Sequence, residues 1–309
     1  VALRCNIVTV STDDLPYEEK TIIDHSSSEI STEDAAVLLE AVRKELENDI
    51  YKFYVGTSYR HLTIWDKGEV VDLTPPHDVL GQKIGQYLPK DDKLREMMKK
   101  SYDILSNHPI NVERMKKGLN PANSLWFWGA GTRPMLTSFE EKTGHKGAMI
   151  SAVDLLKGIA VGAGMKVIEV EGANGGLDTN YEGKADAAVD VLLNGGCDFA
   201  YIHLEAPDEM GHQGSYERKV KAIENLDKRI IKRVVEKMEA AGEDFRMLVL
   251  PDHPTPVAIR THVSDPVPYM LYDSTDKKNN TWSYNEKDGE ASGNYIAEGH
   301  TIINRLFEK

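Results

Sequence analysis

From about Asn120 onward the chain alternates short apolar runs with helical stretches, and this alternation restricts its fold more than any other feature. Ser124 to Trp128, Lys146 to Ile150, Lys166 to Val170, Asp198 to Leu204 and Phe245 to Leu250 read as strands. Val153 to Gly162, Tyr181 to Leu193 and the long stretch Tyr216 to Ala241 carry helical periodicity between them. Strand and helix taken in turn predict an α/β core, a mostly parallel sheet flanked by helices on both faces. Such sheets place their chemistry at the carboxyl ends of the strands.

Residues 1 to 118 have a different texture. Here the strand-like runs cluster, as in Phe53-Tyr54-Val55 and His61-Leu62-Thr63-Ile64-Trp65, with Lys67-Gly68 as a turn. A helix is expected after the Ser31/Thr32 capping signal, with Leu38, Leu39, Val42 and Leu46 on its apolar face, and another from Lys90 to Leu105. The pattern predicts a smaller α+β domain over 1–118, its first residues joining it to the core, and a core over 119–309. Asp273 to Asp288 is expected to be an exposed loop. The chain opens in a strand-like run, Val1-Ala2-Leu3-Arg4-Cys5, without an initiator Met, so its natural start is expected upstream.

Charge and cysteine usage remove several functions. Thirty-seven basic against fifty acidic side chains leave a net charge of −13, which argues against nucleic acid or an anionic membrane as partner. Only Cys5 and Cys197 occur, far apart and without metal-type spacing, as in a reducing compartment. No apolar run approaches the ~18 residues that span a bilayer, and no leader pattern is visible, so a cytoplasmic protein is expected.

Polar residues concentrate after the expected strands. Asp208 and His212 stand four apart behind the run ending at Leu204, which places them together on one helical turn, with Gly211 and Gly214 allowing close backbone approach. Pro251 ends the next strand and leaves Asp252 and His253 at its tip, where neighbours on extended chain point opposite ways. That arrangement suits two ions about 3.5 to 4 Å apart. His262 follows in Arg260-Thr261-His262, before the strand candidate Pro266 to Leu271. Together the three loops supply five nitrogen and oxygen ligands, a set that suits borderline divalent cations such as Mn²⁺ or Zn²⁺. Singly, Asp208 with His212, and His262 by itself, read more simply as solvated loop residues, while Asp252 and His253 suit a capped turn with a solvated His as well as a metal site.

Taken together, the blocks Asp208-x-x-x-His212, Asp252-His253 and His262 with Asp265-Pro266-Val267-Pro268 resemble the metal-binding signature of the alkaline phosphatase superfamily. Within it the chain is most similar to the cofactor-independent phosphoglycerate mutases of the archaeal type. Arg4-Cys5-Asn6, Tyr59-Arg60-His61-Leu62, Thr74-Pro75-Pro76-His77-Asp78, Asn120-Pro121-Ala122-Asn123 and Gly172 to Asp178 extend the resemblance along the whole chain. It implies an alkaline phosphatase-like core with an inserted α+β lid domain. It also implies two divalent ions, Mn²⁺ first, with Mg²⁺, Co²⁺ or Zn²⁺ as alternatives. Asp208, His212 and His262 would hold one ion, and Asp252 with His253 the other.

The implied reaction interconverts 3-phosphoglycerate and 2-phosphoglycerate through a phosphoserine, an isomerisation in glycolysis and gluconeogenesis. The family takes its nucleophilic Ser and a further Asp ligand from a segment that precedes these residues, so the nucleophile is expected outside this chain, which alone would be inactive. The candidates for gripping the small phosphorylated substrate are Arg60, His61 and His77 in the lid and Arg133 and Lys157 in the core, with Asp78 orienting His77 or moving a proton. Solvated positions for these side chains, and a helix cap for Asp78, are the plainer readings. One or both of Trp126 and Trp128 are expected in the core before the pocket wall, and Gly172 to Gly176 as a turn, because no Lys-Ser/Thr follows it. The same residues leave other activities open: a related phosphotransferase, including proposed homoserine kinases, a phosphohydrolase, or a non-catalytic metal-binding fragment.

Overall fold

In a computed structural model, residues 1–276 and 281–308 are described, and the chain divides into two compact units, Val1–Pro134 and Met135–Lys309. The first unit is built on β1 (Ala2–Val10), whose inward residues Leu3, Cys5, Ile7, Val8 and Val10 are all fully buried. Strand β1 lies at the centre of an antiparallel sheet with β2 (Ile22–Asp24), β3 (Tyr51–Tyr54), β4 (Arg60–Trp65) and β5 (Ser124–Gly131), in which it pairs with β2, β4 and β5 and β4 pairs with β3.

Helix α1 (Thr32–Leu46) starts where the sequence signals it, with the Ser31 side chain accepting from the Asp34 amide, and buries Leu38, Leu39, Val42 and Leu46. Helix α2 (Asp92–Leu105) starts behind the Asp91 cap and presents Leu94, Met98 and Leu105 to the sheet core. Helix α3 (Pro109–Lys116) follows, and its buried Asn111 accepts from the Ala122 amide and donates to the Leu105 and Ala122 carbonyls.

The division between the units falls after Pro134 and not after 118. Strand β5 is the reason: its residues Leu125, Trp126 and Phe127 pair with Ile7, Asn6 and Cys5 of β1 and are buried among the side chains of the first unit. Its β-rich sequence announces a strand, but the partner is chosen by non-local pairing. Trp126 is core, as expected, and its indole N–H donates to the Thr74 carbonyl.

In the second unit, α4 (Phe139–Thr143) leads into β6 (Gly147–Ile150), α5 (Asp154–Gly162) and β7 (Lys166–Val167). Then come α6 (Tyr181–Leu193), β8 (Phe199–Ile202), α7 (Ala206–His212) and the long helical stretch, α8 (Tyr216–Asn225) and α9 (Lys232–Ala241) joined by a π-helical segment, Leu226–Ile231. Strands β6, β7 and β8 form a parallel sheet in the order β7-β6-β8, each successive pair joined through a helix as the alternation predicts.

The sheet is smaller than the sequence suggests. Strand β9 (Arg246–Val249) pairs antiparallel with β10 (Met270–Asp273) in a separate two-stranded ladder, because the chain reverses between them through a loop that carries Asp252 to His262. Strand β7 ends at Val167, although the Ile168 amide still reaches the Met149 carbonyl. The expected loop from Asp273 to Asp288 lies partly outside the described residues, and α10 (Glu286–Ala291) begins within it on an Asn285 cap. Helix α11 (Ile302–Phe307) ends the described chain and stacks Phe307 on His145. Tyr181, Ala185 and Val189 of α6 pack on Val234 and Met238 of α9, and outside this core bidentate pairs join Arg229 to Glu182 and Arg233 to Asp186.

Both cysteines are free and buried, and burial pushes the Cys5 thiol up to about 12. No described helix is long and apolar enough to cross a membrane.

Candidate metal centre

Helix α7 begins four residues after β8 ends, with Pro207 in its first turn, where a missing amide hydrogen costs nothing. Asp208 and His212 stand one turn apart on it, as the spacing predicts. The loop after β9 brings His262 to the same face. His212 Nε2 lies 3.1 Å from His262 Nε2 and 3.2 Å from Asp208 Oδ2, and His262 Nε2 is 3.3 Å from Asp208 Oδ1. Donor atoms about 2.0–2.1 Å from an ion at tetrahedral to octahedral angles stand about 2.8–3.4 Å from one another. The three side chains thus fit one divalent cation, and their carboxylate and imidazole donors fit the borderline ions of the first transition row.

Packing sets this geometry. A Cβ on Gly211 would stand 2.5 Å from the Thr255 carbonyl oxygen, so only glycine lets the loop settle on α7. The same carbonyl accepts from Lys219 Nζ at 2.6 Å. Arg260, in the left-handed region at φ +56°, turns its carbonyl oxygen to 3.0 Å from His212 Nδ1. A carbonyl only accepts, so the proton of neutral His212 sits on Nδ1 and the lone pair of Nε2 faces the cluster.

Asp252 and His253 stand beside these three. The His253 ring lies against that of His262, centroids 3.7 Å apart at 31°. The sequence expectation that Asp252 and His253 point apart is not met: His253 Nε2 lies 3.2 Å from Asp252 Oδ2. Alternation applies to extended chain, and this pair sits in a bend flanked by Pro251 and Pro254. Their two donor atoms therefore suit one ion rather than one each.

Three residues at or near the cluster escaped the sequence reading. Thr255 is buried and donates its hydroxyl to Asp208 Oδ1. His203, at the end of β8, is held below the ordinary imidazole value by burial, against the pull of Asp252 and Asp208. Lys184 is 1% exposed, with Nζ 3.3 Å from the Asn174 carbonyl and 3.4 Å from that of His203, and burial lowers its ammonium pKa. A signal for Lys184 was present, since it shares the apolar stripe of Tyr181, Ala185 and Ala188 on α6. A cavity of about 570 Å³ lined by Gly175, Asp178, Glu209, Gln213 and Arg218 borders α7 on a face other than that of Asp208 and His212.

The expected substrate residues separate into groups. In the first unit a chain of ring contacts runs from Tyr59 to His25 (5.7 Å), His77 (6.1 Å) and Trp128 (5.3 Å), with the Arg60 guanidinium over Tyr59 and that of Arg4 over Trp128. Arg60 and His77 thus belong to one basic and aromatic surface, to which Arg4 and His25 are additions. Asp78 Oδ1 is 3.6 Å from His77 Nε2, in a short 3₁₀ turn. His61 is turned away: it is 6% exposed, accepts from the Gly56 amide through Nδ1, and is pushed down to about 4 by burial. Strand alternation requires this, because Arg60 occupies the opposite face of β4. Arg133 is exposed at the end of the first unit instead of in the core, and Lys157 is engaged by Glu169 at 2.7 Å. Gly172 to Gly176 belongs to an irregular stretch of turn and bend ahead of α6.

Comparison with known proteins also points to a metalloenzyme. The family model described as the metalloenzyme superfamily matches residues 61–298, and that of 2,3-bisphosphoglycerate-independent phosphoglycerate mutase matches residues 1–111. The 2,3-bisphosphoglycerate-independent phosphoglycerate mutase of Methanosarcina barkeri is 50% identical over 282 residues, covering 90% of this chain and 68% of the relative. That of Methanothrix thermoacetophila is 40% identical over 310 residues, covering 99% and 76%. Among solved structures, the PH0037 protein of Pyrococcus horikoshii superposes with a TM-score of 0.74 at 25% identity, over 99% of this chain and 72% of its own. The cofactor-independent phosphoglycerate mutase of Thermoplasma acidophilum does so at 0.61 and 23%, over 99% and 76%, and supports the fold. A ligand cluster of this geometry, within a chain that matches these relatives almost throughout, places the protein in the 2,3-bisphosphoglycerate-independent phosphoglycerate mutase family of the metalloenzyme superfamily.

Proposed function

We propose that the chain serves the reaction for which its relatives are named, the metal-dependent interconversion of 3-phosphoglycerate and 2-phosphoglycerate without added bisphosphoglycerate, an isomerisation. The observation that carries this reading is the convergence of Asp208, His212 and His262 beside the Asp252–His253 pair. Two such ligand sets suit two divalent ions, with Mn²⁺ the first expectation. Bound ions would neutralise charge on the phosphoryl oxygens and lower the pKa of a hydroxyl nucleophile.

The protein's own residues do the remaining work. The Arg260 carbonyl keeps His212 in one tautomer, so the ligand set is organised before any ion arrives. In the first unit Arg60 and Arg4 present positive charge, and His77 a ring face and ring nitrogens, that suit a small carboxylate-bearing anion. The reading gives this α+β unit the part of a lid inserted into the core. Its task would be to exclude water, since water admitted to a phosphoryl-transfer site diverts the enzyme to hydrolysis. The lid role is supported by the separation of its antiparallel sheet from the parallel sheet of the second unit.

The test is phosphorus NMR of 3-phosphoglycerate with the full-length protein and Mn²⁺, with no bisphosphoglycerate or nucleotide. Appearance of 2-phosphoglycerate supports the mutase. Free phosphate alone would replace it with a phosphohydrolase, and an unchanged spectrum would overturn it.

A further inference from the structure

The loop between β9 and β10 carries one hydroxyl that touches both ligand sets. Thr255 is 3% exposed, between Pro254 and Pro256, and its Oγ1 donates to Asp208 Oδ1 while standing 3.3 Å from His253 Nδ1. A hydroxyl has a single proton. With that proton given to a carboxylate, Thr255 can only accept from His253, so the ring must carry its proton on Nδ1. The lone pair of His253 then lies on Nε2, the atom 3.2 Å from Asp252 Oδ2. One hydroxyl therefore orients Asp208, a ligand of the first set, and selects the tautomer that makes His253 a ligand of the second.

We propose that Thr255 is a positioning residue that couples the two metal sites through the directed chain His253 Nδ1–H to Thr255 Oγ1–H to Asp208 Oδ1. The coupling between the sites rests on the two-ion reading above; the tautomer assignment does not. Three observations show that the position is built. The carbonyl of Thr255 is anchored by Lys219 Nζ at 2.6 Å. The absence of a Cβ on Gly211 lets that carbonyl approach α7. The two flanking prolines fix the local φ angles. A threonine held only for packing would need none of this directionality, and valine would fill the same volume.

The proposal predicts that wild-type protein and Thr255→Ser bind two Mn²⁺ ions with His253 protonated on Nδ1. In Thr255→Val the ion held with His253 should be weakened about 10–100-fold, the range seen when an outer hydrogen bond to a ligand is removed. The His253 tautomers should also become mixed. Mn²⁺ titration followed by calorimetry and electron paramagnetic resonance reads stoichiometry and affinity without substrate. Long-range ¹⁵N–¹H spectra of the histidine rings in metal-free protein read the tautomer. Unchanged Mn²⁺ affinities in Thr255→Val would overturn the proposal, and so would His253 protonated on Nε2 in the wild type. The wild-type spectrum decides the tautomer assignment, on which the chain depends, even if the valine variant fails to fold. Binding of a single ion by the wild type would defeat the two-ion reading and the coupling with it, and would leave the tautomer assignment to be decided by the spectra.

Discussion

His212 Nδ1 lies 3.0 Å from the carbonyl oxygen of Arg260, a residue held at φ +56°. A left-handed non-glycine residue costs roughly 1–2 kcal/mol, and here it turns a carbonyl onto a metal ligand. The Arg260 side chain then lies over Gly214, where a Cβ would stand 2.3 Å from its Nε. The backbone of one loop and the ring of one helix are thereby set together.

Gly214→Ala should disturb both partners. Gly214 has φ +70°, so alanine carries the left-handed cost of roughly 1–2 kcal/mol as well as the collision with Arg260. The expected outcome is lower thermal stability together with weaker Mn²⁺ binding, as the Arg260 carbonyl is displaced from His212. Denaturation midpoints and Mn²⁺ titration on one preparation check both, and unaltered binding would show that His212 needs no such support.

Divalent metal should stabilise the protein by mass action, about 2.7 kcal/mol at a concentration one hundred times the dissociation constant. Chelation should reverse the shift. Asp208→Ala, which removes the carboxylate shared by His212 and His262, should abolish most of it. Melting curves with Mn²⁺ and with a chelator, for wild type and variant, measure the effect.

Stability should depend on pH through His61. Burial holds its native pKa at about 4, against 6.5 for the free ring. Between these values the unfolded chain takes up a proton that the native state refuses. The contribution is therefore fully present above pH 6.5 and is lost as pH falls toward 4, to a total on the order of 3 kcal/mol. His61→Asn keeps an acceptor for the Gly56 amide and removes the titration. Urea denaturation at pH 7 and pH 4.5 should show a smaller loss in the variant than in the wild type; equal losses would place the acid sensitivity elsewhere.

Arg60→Gln should raise KM for phosphoglycerate on the order of tenfold or more with a smaller change in kcat, because the guanidinium over Tyr59 is read as a substrate contact. Steady-state kinetics at saturating Mn²⁺ decide this. A change in kcat alone would move Arg60 from binding to another role.

Much of this arrangement is written locally. The caps Ser31 and Asp91 start α1 and α2, the one-turn spacing of Asp208 and His212 puts them on one face, and Tyr181–Leu193 is a helix over its expected length. These depend on contacts within a few residues, which periodicity and capping report directly. Asp208, Asp252 and His253 stand out as candidate ligands because each follows closely on the end of a strand, whereas His262 lies deep in the loop after β9.

Only the tertiary structure decided the rest. Strand β5 could pair with either unit by composition, and its register against β1 is settled by side chains more than a hundred residues away in sequence. Asp252 and His253 converge because a bend between prolines cancels strand alternation. Arg60 and His61 are neighbours in sequence, yet one lies over a surface ring and the other is interior. The meeting of His212, His253 and His262 depends on how closely one loop approaches one helix, a distance set at Gly211 by the absence of a single carbon. Sequence alone determined which groups are available for chemistry, because that follows from residue type and local order. Packing determined which of them face one another, because that distance is fixed by atoms far apart along the chain.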